Sequence, residues 1–515
     1  MYWADKIAKE IISSKKYKPY WVDDMKTPSG FAHIGSLRGP LIHSLIFRAL
    51  KASTKEKVTF TFVFNDFDHA DELPPEFKEE LGKYMGFPLR KIPSPSKEFN
   101  SLGEFLSHDL KKSMEALGVE AEYLSSWDMY QEGKFDGVIR EALDSAEKIQ
   151  DIYEKISGSK KREQGWLPFS PICENCGKVG TTKAFAWDGK EVSYKCEPAM
   201  VAWADGCGHE GKVSPFGGTG KLPWKVDWAA HWKVVGVTVE GAGKDHASAG
   251  GSYDIAMALC KDVFNYPQPF KLPYEFLLVG GKKMSSSKGL GLKAHDLTKI
   301  LPPELGRFLF SRWDYREQVE FNPEGTMAIP DLFDEYDRCW RAFVDGDKDL
   351  GRIFALAQIS KVPVKKDIFL PRFREVSYLL SEGKEKLEEY FDGKKGTKLT
   401  SEEKSILDER IRYAKVWLEK FAPEEFRFVI KEEVTKTALP SDFFARLIKL
   451  IESSKSPEEL EKKIYELIKE SKIATKDSFT EIYKVLIGKT HGPKVAWLIW
   501  ENKEKALEVL RKISK

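Results

Sequence analysis

The chain has 515 residues, 42% of them hydrophobic and 31% charged, with a net charge of +2 at neutral pH. That length exceeds what one hydrophobic core holds and predicts three or four folding units, while the composition is that of a soluble globular protein and excludes a disordered or membrane-embedded one. So small a net charge gives no bulk case for nucleic acid; any such contact must come from local patches.

Met1 to Lys16 mixes acidic and basic residues without an apolar signal core, which points to a cytoplasmic protein. Tyr20-Trp21-Val22 reads as a short strand. Thr27-Pro28-Ser29-Gly30 is turn chemistry, after which Leu37, Leu41, Leu45 and Leu50 recur at helical spacing. Pro40 suits the first turn of that helix, where a missing N–H does no harm. A second strand, Val58 to Phe64, runs into Asn65-Asp66-Phe67-Asp68; its apolar run is strand-length and far too short for a bilayer. Strand, turn, helix and strand make a βαβ unit, so a parallel, dinucleotide-binding type of sheet is expected.

From about Gly158 to Val226 the texture turns rich in Gly, Trp and Cys, as for an insertion between two halves of a sheet domain. Asp227 to Phe276 resumes the alternating pattern, and Glu275 to Val279 reads as a strand leading into a loop at Lys283. Beyond Ile329 the chain reads as helical. Leu407, Ile411, Ala414, Leu418 and Phe421 mark one helix face that Pro423 ends, and Leu460, Ile464, Leu467 and Ile468 mark another that starts at Ser456-Pro457. There is no internal repeat.

Two short motifs carry the chemistry: His33-Ile34-Gly35-Ser36 and Lys283-Met284-Ser285-Ser286-Ser287. A strand-turn-helix around His33 offers a helix N-terminus with free N–H groups, an imidazole that donates to phosphate oxygens, and a glycine that lets a nucleotide lie against the backbone. Lys283, on a loop flanked by Gly280-Gly281, offers an ammonium that can stabilise negative charge. Each motif alone reads as a cap or a solvated loop; the pair, in this order, does not. Cys173, Cys176, Cys196 and Cys207 lie close together in the insertion, with His209 as an alternative fourth ligand. Four thiolates fit tetrahedral Zn²⁺ in a structural site, and a cytoplasmic setting disfavours disulfides.

The two motifs resemble the H-I-G-H and K-M-S-K-S signatures of class I aminoacyl-tRNA synthetases, with Ser36 in place of the second histidine and Ser286 in place of the second lysine. Lys282 or Lys288 is the expected partial compensation for the latter. Thr27 to His33, Pro223-Trp224-Lys225-Val226-Asp227-Trp228, Gly243-Lys244-Asp245-His246 with the residues to Asp254, and Pro273-Tyr274-Glu275-Phe276 resemble the class I lysyl-tRNA synthetase family. The resemblance is strong from about Tyr20 to Arg312. Met25-Lys26 departs from the family, which has small or apolar residues there.

The resemblance implies ATP-dependent activation of L-lysine to lysyl-adenylate and transfer to tRNA(Lys), with ATP, Mg²⁺ and structural Zn²⁺; the sequence does not fix the oligomeric state, and a monomer is the favoured expectation. Its catalytic residues would be His33, Gly35, Ser36, Lys283, Ser285 and Ser286. Gly243, Asp245, Met284 and Lys288 would join His33, Gly35 and Lys283 on ATP. Asp23, Thr27, Trp228, His246 and Tyr274 would form the lysine site, with Asp24 an alternative to Asp23 as countercharge. The implied layout is a Rossmann-type catalytic domain in two halves, 1–157 and 227–275, around a zinc-binding connective insertion at 158–226. A linking module at 276–340 follows, then an all-α anticodon-binding domain at 341–515. Another class I synthetase, glutamyl-like, and a non-catalytic RNA-binding paralogue are the competing readings.

Overall fold

The structure, a computed structural model, describes residues 1–160, 165–281, 292–359, 368–381, 384, 386–426, 430–431 and 437–514. It divides into two units, one of Met1–Phe321 with Arg338–Val364, the other of Asn322–Asp337 with Lys365–Lys515.

In the first unit five strands form one parallel sheet: β1 (Tyr20–Lys26), β2 (Val58–Phe64), β3 (Glu122–Ser125), β4 (Val239–Gly243) and β5 (Phe270–Tyr274). Their order across the sheet is β5-β4-β1-β2-β3. β1 pairs with β2 from Tyr20 opposite Val58 to Lys26 opposite Phe64, and with β4 at Val22–Val239 and Asp23–Glu240. β2 is built of Val, Thr and Phe, residues that suit a strand covered on both faces. β1 breaks that rule. Asp23 and Asp24 are 0% and 6% exposed at the middle of the sheet, on opposite faces because strand side chains alternate. Asp23 meets His231 of the helix Trp224–Val235, and Asp24 approaches His43 of the helix Arg38–Ser53.

The insertion contains an antiparallel three-stranded sheet, Thr182–Trp187, Val192–Cys196 and Glu210–Val213. Its apolar residues Trp166, Phe169, Ala184, Val192 and Leu222 share one core with Phe67, Tyr130, Trp228, Trp232 and Tyr253 of the sheet domain. A shared core makes the insertion part of the first unit, so the described chain forms two units where length alone suggested three or four.

The second unit is helical. Ser401–Lys420 starts at a capping box, in which the Thr400 side chain accepts from the Glu403 N–H and Glu403 reaches back to the Thr400 N–H. Arg410 forms a buried two-pronged pair with Asp337 at 2.9 and 2.6 Å. Five further helices, from Ser441–Ser453 to Lys503–Ile513, enclose a core around Phe444, Leu447, Leu460, Ile464, Ile482 and Leu486. Ser456 caps the helix Pro457–Glu470, where the sequence placed its start. No helix among the described residues is long and apolar enough to cross a membrane.

Candidate active site and metal centre

In an open parallel sheet, ligands bind outside the carboxyl ends of the strands where the order reverses. Here that point lies between β1 and β4. A cleft of about 250 Å³ opens there, lined by Asp24, Met25 and Lys26 at the end of β1 and by Gly243 at the end of β4. His33, Gly35 and Ser36 form one wall, Asp245 and His246 a second, and Tyr274 with Phe276 and Leu277 a third. Seven sequence-selected residues therefore border one space: His33, Gly35, Ser36, Gly243, Asp245, His246 and Tyr274.

His33 keeps extended backbone (φ −86°, ψ 163°) and precedes a 3₁₀ turn, Ile34–Leu37, that runs into the helix Arg38–Ser53. The Ile34 and Ser36 N–H groups of that turn are taken up by Leu292 O and His33 O. The buried Ser36 Oγ has no hydrogen-bond partner among the described residues. On the far wall Gly243 admits a close approach: a Cβ there would lie 2.9 Å from Asp245 Oδ1.

Lys283, Met284, Ser285, Ser286 and Lys288, with Lys282, lie outside the described residues. The chain on either side of them is described. Before them, Val319 N–H donates to Phe276 O (2.9 Å) and Phe321 N–H to Leu278 O (3.0 Å). After them, Ile34 N–H donates to Leu292 O (2.8 Å) and Ala294 N–H to Ala32 O (2.7 Å), with His33 and Lys293 bridged between. Both flanks of the segment therefore border the cleft, and one is stitched to the His33 turn itself.

The remaining selected residues sit behind the walls. Trp228 is 6% exposed, donates its indole N–H to Glu240 (2.9 Å), and stacks on Tyr253 with ring centres 5.3 Å apart. The His246 ring lies 6.0 Å from it. Thr27 donates its hydroxyl to Asp68. Asp68 in turn holds Lys221, which also faces Asp227. Burial opposes the Asp68 charge, but Lys221 outweighs it and keeps that carboxyl below its ordinary range. Asp23 does not line the cleft. Fully buried, it accepts from His231 (2.8 Å) and from Thr61, so its capacity is spent inside the fold. The acid at the end of β1 that borders the cleft is Asp24.

Sequence reasoning missed several residues that hold this site together. Glu240 accepts both the Trp228 and the Trp232 indole N–H groups, and burial, reinforced by the Asp23 charge, pushes its pKa up to about 8. His43 donates from Nδ1 to Gly39 O (2.8 Å) while Nε2 accepts from Gly241 N–H (2.7 Å). Accepting an amide N–H requires a lone pair on Nε2, while burial opposes the ring's charge and the Asp24 carboxylate beside Nδ1 outweighs it, raising the His43 pKa. Arg38, 2% exposed, donates to four carbonyls, those of Glu275, Phe310, Asp314 and Glu317. Only one of these had a readable signal: Arg38 stands five residues after His33, on the same turn.

In the insertion the four sulfurs of Cys173, Cys176, Cys196 and Cys207 all lie within 4.8 Å of one another. Cys173 and Cys207 are 3.6 Å apart, Cys176 and Cys196 3.7 Å. Four thiolates at about 2.3 Å from a tetrahedral zinc stand about 3.8 Å apart, so the donor set fits that ion. N–H groups already point at the sulfurs, from Asn175 and from the Cys207 backbone, both at 3.4 Å. His209 is not in the set. Its carbonyl accepts from Cys196 N–H (2.8 Å), and Cys207 supplies the fourth ligand.

The model of the family "tRNA synthetases class I (K)" matches residues 1–360. The chain is 33% identical over 502 residues to a lysine–tRNA ligase of Archaeoglobus fulgidus, covering 97% of each protein. It is 33% identical over 530 residues to that of Methanocaldococcus jannaschii, covering 96% of each. To the lysine–tRNA ligase of Thermoplasma volcanium it is 30% identical over 509 residues, covering 97% of this chain and 96% of the other. The family match runs through every wall of the cleft and through the cysteine cluster, and the chain belongs to the class I (K) tRNA synthetases.

Proposed function

We infer that this chain is a lysine–tRNA ligase that activates L-lysine with ATP and transfers it to tRNA(Lys). The observation that carries the reading is the stitching of Leu292–Ala294 to Ala32–Ile34, in a chain that aligns end to end with lysine–tRNA ligases. It fastens one end of the segment bearing Lys283 to the turn bearing His33.

Adenylation needs no protein nucleophile. The lysine carboxylate attacks the α-phosphate in line and pyrophosphate leaves, so catalysis consists of positioning and of stabilising negative charge. His33 donates to phosphate oxygens, Gly35 leaves room for the nucleotide, and Ser36 offers its hydroxyl. Lys283 and Lys288 would offer ammonium groups to the triphosphate, and Met284, Ser285 and Ser286 would complete that motif. Gly243 and Asp245 meet the adenosine. Mg²⁺ accompanies ATP and neutralises charge on its phosphates. His246 and Tyr274 wall the lysine side chain, Trp228 backs them from behind, and Thr27 orders the floor through Asp68. A terminal ribose hydroxyl of the tRNA then attacks the adenylate carbonyl, the acyl–phosphate bond breaks, and AMP leaves as the hydroxyl gives up its proton. The insertion at 158–226, its loops fixed by zinc on the four cysteines, meets the acceptor end, and the helical region at 341–515 reads the anticodon, in the cytoplasm.

ATP–pyrophosphate exchange with each amino acid in turn, with and without tRNA, tests the reading. Exchange with lysine alone is the expected result. Exchange with a different amino acid overturns the specificity, and exchange with none overturns the activity.

A further inference from the structure

An ammonium is costly to bury, and a lysine deep in a fold is normally one that acids have paired. Lys221 is such a residue, 5% exposed near the end of the insertion, on the short strand Gly220–Lys221 that pairs with Ser170–Pro171. Its Nζ donates to Asp68 and stands 3.8 Å from Asp227. The residue after it is tied to the same place. Leu222 N–H donates to Tyr130 Oη (3.3 Å), and that phenol donates to Asp227. Burial opposes the Lys221 charge, but the two carboxylates outweigh it and raise its pKa, so the ammonium stays charged.

The two acids belong to different segments. Asp68 follows β2 and accepts the hydroxyl of Thr27, which opens the turn leading to His33. Asp227 lies in the helix Trp224–Val235, directly before Trp228. One ammonium thus joins a turn and a helix that are far apart in sequence, and both carry residues assigned to the lysine site. The His33 end of the turn has its own anchor, the bonds of Ile34 N–H to Leu292 O and of Ala294 N–H to Ala32 O. Apolar packing also closes this region, since Trp166 and Leu222 of the insertion share a core with Tyr130 and Trp228. Such packing is non-directional and does not call for a lysine. An ammonium between two carboxylates does set where each acid stands, because moving either away leaves a buried charge unpaired.

We propose that Lys221 is a positioning residue for amino-acid activation, holding the Thr27 turn and the Trp228 helix at a fixed spacing through Asp68 and Asp227. The proposal rests on the reading of the chain as a lysine–tRNA ligase, and it gives the insertion a part in the first step of that reaction. Lys221 stands behind the cleft walls and acts on the lysine side of the cleft through Thr27. The separately anchored His33 end stays in place, so losing Lys221 should weaken lysine and spare ATP. Most of the damage comes from the carboxylate left behind at 68, and removing that charge too should undo much of it.

The test compares the wild type with Lys221→Met, Lys221→Met/Asp68→Asn and Lys221→Gln in ATP–pyrophosphate exchange, reading the KM for lysine and for ATP separately. Lys221→Met should raise the lysine KM by about 10–10²-fold, the effect of a shift of about 1 Å in a binding wall, with the ATP KM held within about twofold. The double variant buries no unpaired acid at 68 and keeps an oxygen for Thr27, so its lysine KM should return to within about fivefold of the wild type. Amide hydrogen exchange read by mass spectrometry follows the placement without any assay of function. Lys221→Met should speed exchange at the Asn65, Asp68 and Leu89 amides, which are bonded to Lys26 O, Asn65 O and Asp68 O, and leave Ile34 and Ala294 as in the wild type. Should Lys221→Met fail to fold, Lys221→Gln, which keeps a donor and loses the charge, should show both changes at smaller size. A folded Lys221→Met or Lys221→Gln chain with an unchanged lysine KM overturns the proposal, as does a loss shared equally by lysine and ATP that Asp68→Asn does not relieve. A wild type that activates a different amino acid, or none, overturns the functional reading instead, and the amide exchange then decides whether Lys221 holds the turn.

Discussion

Arg38→Met removes a guanidinium that ties the His33 turn to the chain on the far side of the cleft. Nε donates to Glu275 O (3.4 Å), Nη1 to Phe310 O (3.2 Å), and Nη2 to Asp314 O (3.0 Å) and Glu317 O (3.2 Å). Burial lowers its pKa to about 10, which leaves it charged at neutral pH. Methionine fills much of the volume but donates nothing. The Phe310 carbonyl is deeply buried, and the other three lie at the margin of the core. One or two acceptors left without a donor, at about 1–3 kcal/mol each, give a loss of about 1–6 kcal/mol. Against a domain stability of about 5–15 kcal/mol that is large. Glu275 lies between Tyr274 and Phe276, both cleft residues, so the loss should also reach activity. A displacement of about 1 Å in such a wall can cost about 10²-fold in rate. Arg38→Lys should recover less than half of either loss, because three donors on one point do not span four separated carbonyls. Urea unfolding followed by tryptophan fluorescence, with exchange kinetics on the same samples, reads both effects. An Arg38→Met chain with an unchanged midpoint and kcat/KM would refute the claim that this residue holds the cleft.

Glu240 gives a pH dependence whose sign follows from its raised pKa. The group binds its proton more tightly folded than unfolded, so its contribution is complete below the ordinary carboxyl pKa of about 4.5 and is lost as pH rises through about 8. The stability difference between the wild type and Glu240→Gln should therefore shrink between pH 5 and pH 8.5, and a difference that grows contradicts the assignment. The same substitution turns an amide NH₂ toward one of two indole N–H groups, so the lysine KM should rise as Trp228 loses its anchor. Cys196→Ser should lower bound zinc well below the one ion per chain expected of the wild type by metal analysis. It should impair tRNA charging more than lysine-dependent exchange, because the cysteines lie in the insertion and not in the cleft. Two tightly held zinc ions in the wild type, or equal losses in both assays, would contradict this account.

What the sequence made legible was local. Strand β2 declares itself by Val, Thr and Phe, the turn before His33 by Pro28 and Gly30, and the metal site by cysteine spacing. Each depends on residues that are neighbours in the chain. The helix start at Ser456-Pro457 was readable for the same reason, and the Thr400–Glu403 capping box was equally written there, though unread. The insertion's membership of the first unit was not legible, because Trp166 and Leu222 find Tyr130 and Trp228 through packing that no periodicity encodes.

The roles of buried charge were the least legible, and they decide the site. Composition places arginine on surfaces, yet Arg38 and Arg307 are 2% and 0% exposed and end on backbone carbonyls far along the chain. Strand alternation puts Asp23 and Asp24 on opposite faces, but in a sheet covered on both sides it does not say which face opens to a ligand. That depends on what each carboxylate meets. His231 and Thr61 come from elements well separated from β1 in sequence, and they saturate Asp23. His43, from the helix Arg38–Ser53, stands 3.5 Å from Asp24 on the other face. Which face opens to a ligand is therefore set by partners that arrive from distant parts of the chain, and a pattern of residues along β1 does not carry them.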